Sequence, residues 1–270
     1  MLNLDFCKPI LMGVINLTPD SFSDGGLYQT TQDVFDQIQQ MIDAGVDIID
    51  IGAESSRPGS DRITADEEIS RLYDVINSFK LHFNCLLSLD TTKAAVAKFG
   101  LEHGVDIMND ISALTFDNQM ADVLKQYKPA VVLMHMKGTP KTMQQDISYD
   151  NVVSDVYQFL EERVSFCRSL GLESIIIDPG IGFGKRLEDN LSLLSSLGYF
   201  KQLQCPILVG TSRKSFISLL SESESDNRLA GTIASQLVAW QKGASVFRVH
   251  DVFEAKQAFD VCCAIEETVC

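Results

Sequence analysis

Side chains able to do chemistry stand at or just past the end of each short apolar run in this chain. The residues in these places are Asn16, Glu54, Asp90, Asn109, His135, Asp178, Ser212, Arg248 and His250. Carboxylates and amides can pair with the polar edge of a heterocycle, whereas hydroxyl and cationic groups can hold an anion. If the ends of the runs meet, we expect one site that binds a polar heterocycle and an anionic group.

The carboxylates and the amide favour the heterocycle. The two oxygens of Asp178 can accept two parallel hydrogen bonds from an N–H/NH2 edge, such as that of a 2-aminopyrimidinone. Asp90 alone could instead cap a helix that starts near Thr91. One shared ligand explains the pattern better than three independent helix caps at Asp90, Asn109 and Asp178.

The glycine-rich stretch "DPGIGFGKR" (178–186) does not fit a nucleotide-binding loop. Pro179 takes the place of the first glycine of a P-loop, and Arg186 replaces its Ser or Thr. Lys185 stands where a dinucleotide fingerprint has its last glycine. The stretch therefore predicts a tight turn whose backbone can approach a flat ligand.

Cationic and hydroxyl side chains near other run ends favour an anion. They are Arg57 in "GAESSRPGS" (52–60), Ser212, Arg213 and Lys214 in "GTSRKS" (210–215), and Arg248 and His250 in "FRVHD" (247–251). Any one of them could make a structural salt bridge, and the segment 52–60 could be a generic turn. Their number in an otherwise acidic protein favours anion binding.

Eight apolar, β-rich runs alternate with helical patterns along the chain. The runs span 10–15, 46–52, 85–90, 105–110, 130–136, 174–180, 206–212 and 245–250. Eight such units in about 250 residues indicate a (β/α)8 TIM barrel in a single α/β domain, residues 1–270. A doubly wound sheet has the same alternation, but only a barrel brings all eight ends to one rim.

Helical spacing of apolar residues marks the connecting segments. The apolar positions are Val34, Ile38, Met41 and Ile42, then Val152, Val156, Phe159 or Leu160, Val164 and Cys167, then Ile233, Leu237 and Trp240. Thr64 with Glu67 three residues later predicts a capping box at the start of a further helix.

The acidic composition limits the partners. A formal net charge of −15 argues against nucleic acid and anionic membranes, because both attract basic patches. The seven cysteines have no C-x-x-C pair and the four histidines are scattered, so we expect reduced thiols and no zinc site. No export signal or membrane-spanning run is evident, and we expect a cytoplasmic protein.

The stretch "MGVINLTPDSFSDGG" (12–26) predicts a strand followed by a lid. Its first part is apolar and ends in Asn16, and the rest is polar and ends in Gly-Gly. Such a loop can close over a ligand, with Phe22 as its one aromatic contact. Asp20 and Asp24 receive no role.

Eight segments of the chain resemble, in order, the motifs of the dihydropteroate synthase family of folate biosynthesis, the target of sulfonamides. They are "MGVINLTPDSFSDGG", "GAESSRPG", "SLDTTK", "MNDIS", "LMHMKGTPKTMQ", "DPGIGFGK", "GTSRKSFI" and "FRVHDV". The resemblance implies a (β/α)8 barrel, a homodimer and a magnesium-dependent transferase. This enzyme would join 6-hydroxymethyl-7,8-dihydropterin pyrophosphate to 4-aminobenzoate. Because the first motif begins by residue 12, we expect a stand-alone enzyme without a preceding partner domain.

The resemblance also implies roles for individual residues. The pterin would be bound by Asp90, Asn109, Asp178, Lys214, Phe183 and Met134, the pyrophosphate by Asn16, Arg248, His250 and Arg57, and the aminobenzoate by Ser56, Pro58, Phe22 and Ser212. Catalysis would fall to Asp90, Lys214 and Asn16, with Asn16 also the Mg²⁺ ligand. The family usually has Thr at the position of Ser56, so the fit of the aminobenzoate ring can differ here.

Two alternatives share the fold. A pterin-dependent methyltransferase of the corrinoid type would need Asp90, Asn109 and Asp178 but not the two long rim loops or the Arg248/His250 pair. A pterin-binding paralogue without turnover would be expected to lack Asn16, Asp90 or Lys214, and all three are present.

Overall fold

Eight strands and ten helices alternate along the described parts of the chain, residues 4–18, 30–57, 59–221 and 227–267 of a computed structural model. The strands are β1 (Ile10–Asn16), β2 (Ile48–Gly52), β3 (Leu86–Asp90), β4 (Ile107–Asp110), β5 (Ala130–Met134), β6 (Ile175–Asp178), β7 (Leu208–Val209) and β8 (Val246–Val249). The helices are α1 (Thr31–Asp43), α2 (Ala65–His82), α3 (Ala94–Glu102), α4 (Met120–Tyr127), α5 (Val152–Ser169), α6 (Leu187–Ser195), α7 (Leu197–Phe200), α8 (Ser215–Ser221), α9 (Leu229–Gln241) and α10 (Val252–Glu267).

The strands form one parallel barrel. Their order is β6-β5-β4-β3-β2-β1-β8-β7. A single parallel bridge between Ile177 and Ile207 joins the two end strands, supported by a 3.0 Å hydrogen bond from the Ile177 amide to the Pro206 carbonyl. The predicted (β/α)8 barrel is therefore confirmed, with its seam between β6 and the very short β7.

The barrel interior changes from apolar to polar along the strands. Alternate strand residues form a compact apolar cluster of Ile10, Met12, Ile48, Ile107, Ala130, Val132, Ile176, Leu208 and Val246. Strand side chains alternate between two faces, so the residue two positions further along a strand also points inward. By this rule the next inward residues include Asp50, Asn109, Asp178 and Arg248. The carboxyl ends of the strands thus hold the polar groups above an apolar floor.

A larger apolar cluster fills the space between the strands and the helices. It includes the predicted core positions of α1 and α5, among them Ile38, Val156 and Leu160. In α9 the predicted face is displaced: Ile233, Leu237 and Trp240 are only half-buried. The fully buried residues of α9 are Thr232, Gln236 and Ala239.

The predicted capping box at α2 is only half formed. The Thr64 side chain accepts a hydrogen bond from the Glu67 amide at 3.2 Å, as expected. The Glu67 carboxylate instead accepts from Arg71 Nη2 at 2.6 Å, one turn further along the helix. An ion pair with Arg71 therefore replaces the predicted return contact to the Thr64 backbone.

Among the described residues, no helix combines the length and the apolar character needed to cross a bilayer. The six described cysteines are Cys7, Cys85, Cys167, Cys205, Cys262 and Cys263, and all six are free thiols.

Candidate active site

A cavity of about 680 Å³ opens at the carboxyl ends of the strands. Twelve predicted site residues line it: Asn16, Ser56, Arg57, Asp90, Asn109, Met134, Asp178, Phe183, Ser212, Lys214, Arg248 and His250. The other two predicted residues, Phe22 and Pro58, lie outside the described residues, as do Asp20 and Asp24. The strand ends that were predicted to share a site therefore do meet around one cavity.

Two strand-end residues from the initial set are exceptions, because neither Glu54 nor His135 lines the cavity. Glu54 forms an ion pair with Lys93, with 2.6 Å between its Oε2 and Lys93 Nζ. His135 is buried, and its Nδ1 lies 3.0 Å from the ammonium group of Lys185. Both side chains therefore lie outside the cavity, where they contact Lys93 and Lys185.

The base of the cavity is an ion-pair network centred on Arg248. Its Nε donates to Asp50 Oδ2 at 2.7 Å, and its Nη2 donates to Asp90 Oδ2 at 3.0 Å. Asp50 also accepts hydrogen bonds from Ser88 Oγ at 2.6 Å and from Asn109 Nδ2 at 3.1 Å. Asp50 thereby fixes Asn109 and Arg248, which both face the cavity.

Asp90 is not a helix cap. The N-terminal amide of α3, at Ala94, donates to Asp117 Oδ2 at 2.8 Å. Burial raises the pKa of Asp90 to about 7, and the Arg248 guanidinium opposes that rise by favouring the ionised form. A buried carboxylate of this kind, when ionised, can stabilise positive charge that develops in a nearby ligand.

Asp178 and Lys214 face the same part of the cavity from two neighbouring strand ends. Burial raises the pKa of Asp178 to about 6, against the effects of the Gly180 amide and the Lys214 ammonium. Burial, aided by the positive charge of Arg248, lowers the pKa of Lys214 to about 8. The Lys214 ammonium lies 4.0 Å from the centre of the Phe183 ring.

The turn after β6 carries Phe183 and lies very close to the loop after β5. Gly180 has φ +71°, and a Cβ atom there would lie 1.9 Å from the His135 carbonyl oxygen, so only glycine fits. Lys185 spans the two loops, donating to the His135 carbonyl at 3.2 Å and to the Phe183 carbonyl at 3.0 Å. The glycine-rich stretch is thus a tight rim turn, as predicted.

The ends of β7 and β8 are joined by side chains. His250 Nδ1 and Ser212 Oγ are 3.0 Å apart, and the His250 amide donates to the same hydroxyl at 3.2 Å. Arg213 lines the cavity and also pairs with Asp251, its Nε donating to Asp251 Oδ2 at 3.1 Å. Lys214 and His250 remain directed at the cavity.

Sequence reasoning missed several contributors, among them Asp50 and Lys185, which contact cavity residues, and Arg228, which lines the cavity. Asp50 stands two residues before the end of β2, in register with Val14 of β1 and Ser88 of β3. The signal that the sequence offered for Asp50 was a charged residue at a strand position facing the barrel interior. Lys185 was noticed only as a mismatch to a nucleotide loop, and its contacts to residues 50 positions away leave no pattern in the sequence.

The chain matches a model of the pterin binding enzyme family over residues 12–250. It is 42% identical to the dihydropteroate synthase of Haemophilus influenzae over 251 residues, 92% of this chain and 91% of that protein.

Solved structures agree with the sequence match. The Yersinia pestis dihydropteroate synthase, in complex with a sulfonamide drug, superposes with a TM-score of 0.93 at 36% identity, covering 98% of this chain and 97% of that one. The Xanthomonas albilineans enzyme in complex with 7,8-dihydropteroate gives 0.87 at 35% identity, covering 97% and 95%. The chain therefore belongs to the pterin binding enzyme family, among the dihydropteroate synthases of folate biosynthesis.

Proposed function

We propose that the cavity binds 6-hydroxymethyl-7,8-dihydropterin pyrophosphate and 4-aminobenzoate together and joins them to 7,8-dihydropteroate. The observation that carries this assignment is the layout of one cavity, whose base holds buried carboxylate and amide groups around Arg248 and whose rim holds the exposed Arg57 and His250. Such a layout suits a ligand with a polar ring at one end and pyrophosphate at the other.

The pterin would occupy the buried end. Asp178 would accept hydrogen bonds from the N3/2-amino edge, and Lys214 would donate to the carbonyl side of the ring. Asn109, held by Asp50, would complete the polar edge. Phe183 and Met134, both lining the cavity, would contact the faces or rim of the ring.

The pyrophosphate would lie towards Asn16, His250, Arg57 and Arg248. Two N–H groups of Arg248 donate hydrogen bonds to Asp50 and Asp90. A guanidinium has five N–H donors, so three remain for a ligand. Two fixed carboxylates therefore orient Arg248 without using up its capacity for phosphate oxygens.

Asn16 lines the cavity and would hold a magnesium ion that arrives with the pyrophosphate substrate. Among the described residues there is no cluster of three or more His, Cys, Asp or Glu side chains that could hold a metal alone. Mg²⁺ needs few protein ligands, because it keeps several waters and binds substrate phosphates. Asn16 would supply one amide oxygen, and bound Mg²⁺ would neutralise charge on the departing pyrophosphate.

The chemistry needs charge stabilisation more than a base. The bond between the pterin methylene carbon and the pyrophosphate oxygen breaks, and its electron pair leaves on that oxygen. The neutral arylamine then forms the C–N bond with its lone pair and afterwards releases one proton. Asp90 would stabilise the cationic pterin methylene electrostatically, and the cations near the pyrophosphate would stabilise the leaving group.

The aminobenzoate would bind at the outer end of the cavity. Ser56 and Ser212 both line the cavity. Phe22 and Pro58 are assigned to the same subsite by the resemblance alone. Ser56 offers a hydroxyl without the methyl group of the usual Thr, which leaves slightly more room beside the ring.

Turnover by the purified protein tests the assignment. With the pterin pyrophosphate, 4-aminobenzoate and Mg²⁺ present, we expect pyrophosphate release that requires both organic substrates, measured by a coupled phosphate assay. Omission of either substrate is the control. Folded protein that releases no pyrophosphate under these conditions would refute the proposal.

The resemblance also suggests a homodimer, and the C-terminal helices offer a surface for it. Several large apolar side chains on α8, α9 and α10 are exposed, including Leu219, Val238, Phe253 and Val261. We expect a dimer by analytical ultracentrifugation and a monomer for the double variant Val238→Asp/Val261→Asp. The control is Leu81→Asp, an exposed apolar position on α2, away from this surface in the chain. A dimer that persists in the double variant would place the interface elsewhere.

A cytoplasmic location is consistent with the chemistry of the cysteines. All six described cysteines are free, and free thiols are the usual state in a reducing compartment.

A further inference from the structure

Three charged residues form a buried cluster beside the cavity without lining it. Lys93 Nζ lies 2.6 Å from Glu54 Oε2 and 2.5 Å from Glu68 Oε2. The side chains of Glu68, Lys93 and Glu54 are 0%, 12% and 18% exposed. The proposed reaction uses none of them, so their burial needs another explanation.

Lys93 and Glu68 form the fixed part of the cluster. Lys93 immediately precedes α3 and Glu68 belongs to α2, two helices that follow neighbouring strands. Glu68 Oε1 has no hydrogen-bond partner among the described residues. Lys93 is therefore the main compensation for a fully buried carboxylate, and separating the two would leave that charge unpaired.

Glu54 connects this fixed pair to the loop between β2 and α2. It stands two residues after β2, and its Oε2 also accepts a hydrogen bond from the Ile63 amide at 2.9 Å. One carboxylate thus holds both ends of the segment 54–63 and attaches them to Lys93. Arg71 adds a contact to the same base, donating from Nη1 to the Ala53 carbonyl at 3.0 Å.

The segment between these anchors carries residues that face the cavity. Ser55, Ser56 and Arg57 line the cavity one to three positions after Glu54. Ser60 Oγ closes the tip of the loop by donating to the Ser55 carbonyl at 2.6 Å. The Gly59 amide donates to the Pro140 carbonyl at 3.0 Å and so joins the tip to the loop after β5.

We propose that Glu54 is a positioning residue for the aminobenzoate subsite, acting through its ion pair with Lys93 and its hydrogen bond to Ile63. The inference rests on the proposed function, because that assigns Ser56 to aminobenzoate. Glu54 fixes the start of the loop, and Ser56 follows only two residues later. The residues proposed for the pterin lie at the ends of β3, β4, β5 and β6 and at Lys214, and this loop supplies none of them.

The variant Glu54→Gln tests the proposal in the full-length enzyme. Its amide can keep one hydrogen bond but loses the charge-assisted pair, while Lys93 stays paired with Glu68 and no buried cation is left alone. We expect the KM for aminobenzoate to rise about fivefold or more. The Kd for the pterin pyrophosphate, measured by calorimetry, should stay within about twofold of the wild type.

Two further variants make the result specific. Asp66→Asn removes one negative charge from an exposed position at the start of α2, and its aminobenzoate KM should match the wild type. Glu54→Asp keeps the charge but is one methylene shorter and cannot span Lys93 and Ile63, so its aminobenzoate KM should rise as well. Glu54→Asp also tests the proposal if Glu54→Gln does not fold.

An unchanged aminobenzoate KM in folded Glu54→Gln, or equal changes in the aminobenzoate KM and the pterin Kd, would overturn the positioning role. Wild-type protein without turnover would instead refute the proposed function. The two failures are therefore distinguishable.

Discussion

The variant Asp178→Asn should bind the dihydropterin pyrophosphate about 30-fold more weakly than the wild type, a loss of about 2 kcal/mol. Asp178 is buried, and in the proposed complex its ionised carboxylate would accept both donors of the N–H/NH2 edge, whereas an amide offers only one acceptor to two donors. Asp178 Oδ1 also accepts the Gly180 amide at 2.7 Å. The oxygen of the substituted amide can retain that bond, so the turn should survive and calorimetry should report the pterin contact alone.

The pH dependence of the same binding provides an independent check. Because burial raises the pKa of Asp178 to about 6, the accepting carboxylate is lost as the pH falls through that value. Wild-type affinity should fall between about pH 7 and pH 5, whereas this component should be absent from Asp178→Asn. Glu188→Gln, an exposed charge loss on α6, is the control. An unchanged Kd for folded Asp178→Asn would contradict the assignment.

The variant Asp50→Asn should lose both stability and activity, although Asp50 does not line the cavity. The carboxylate accepts three hydrogen bonds, from Ser88, Asn109 and Arg248. An amide must turn its NH2 group towards one of these donors, and Arg248 loses a buried ionic partner. We expect the free energy of unfolding to drop by about 3 kcal/mol, measured by urea titration.

Activity should fall because Asn109 and Arg248 lose the group that orients them. We expect kcat/KM for the pterin substrate to decrease by at least about tenfold in the fraction that remains folded. Asp74→Asn removes the same charge from an exposed position on α2 and should change neither quantity. If Asp50→Asn matched that control, the network at the cavity base would have no positioning role.

Much of the barrel and its rim could be predicted because both follow local rules. Apolar runs with polar residues at their ends mark parallel strands, and a barrel must bring those ends together. Asn16, Asp90, Asn109 and Asp178 all line the cavity for this reason. Their individual roles were assigned from the resemblance to the dihydropteroate synthase family.

The remaining features depend on contacts between residues distant in sequence. Asp50 matters because Arg248, from the last strand of the chain, reaches it past β1, the strand between them. In α9 the fully buried residues are Thr232, Gln236 and Ala239 instead of the larger apolar residues of the predicted face. Thr232 is buried because its hydroxyl accepts the Arg213 amide at 3.0 Å from the rim loop after β7. A helical periodicity analysis ranks residues by apolarity and cannot anticipate such a partner.

The short seam of the barrel would link ligand occupancy to the closure of the fold. In the part of the chain that the structure describes, β6 is joined to the start of β7 by the Ile177–Ile207 bridge and the hydrogen bond from the Ile177 amide to the Pro206 carbonyl. Asp178 ends the strand on one side of this joint, and Lys214 follows the strand on the other. A pterin held by both residues, as proposed, would span the joint as a non-covalent cross-link. Its binding energy would then also oppose local opening of the seam, and we expect slower hydrogen exchange of the β7 amide protons when substrate is bound.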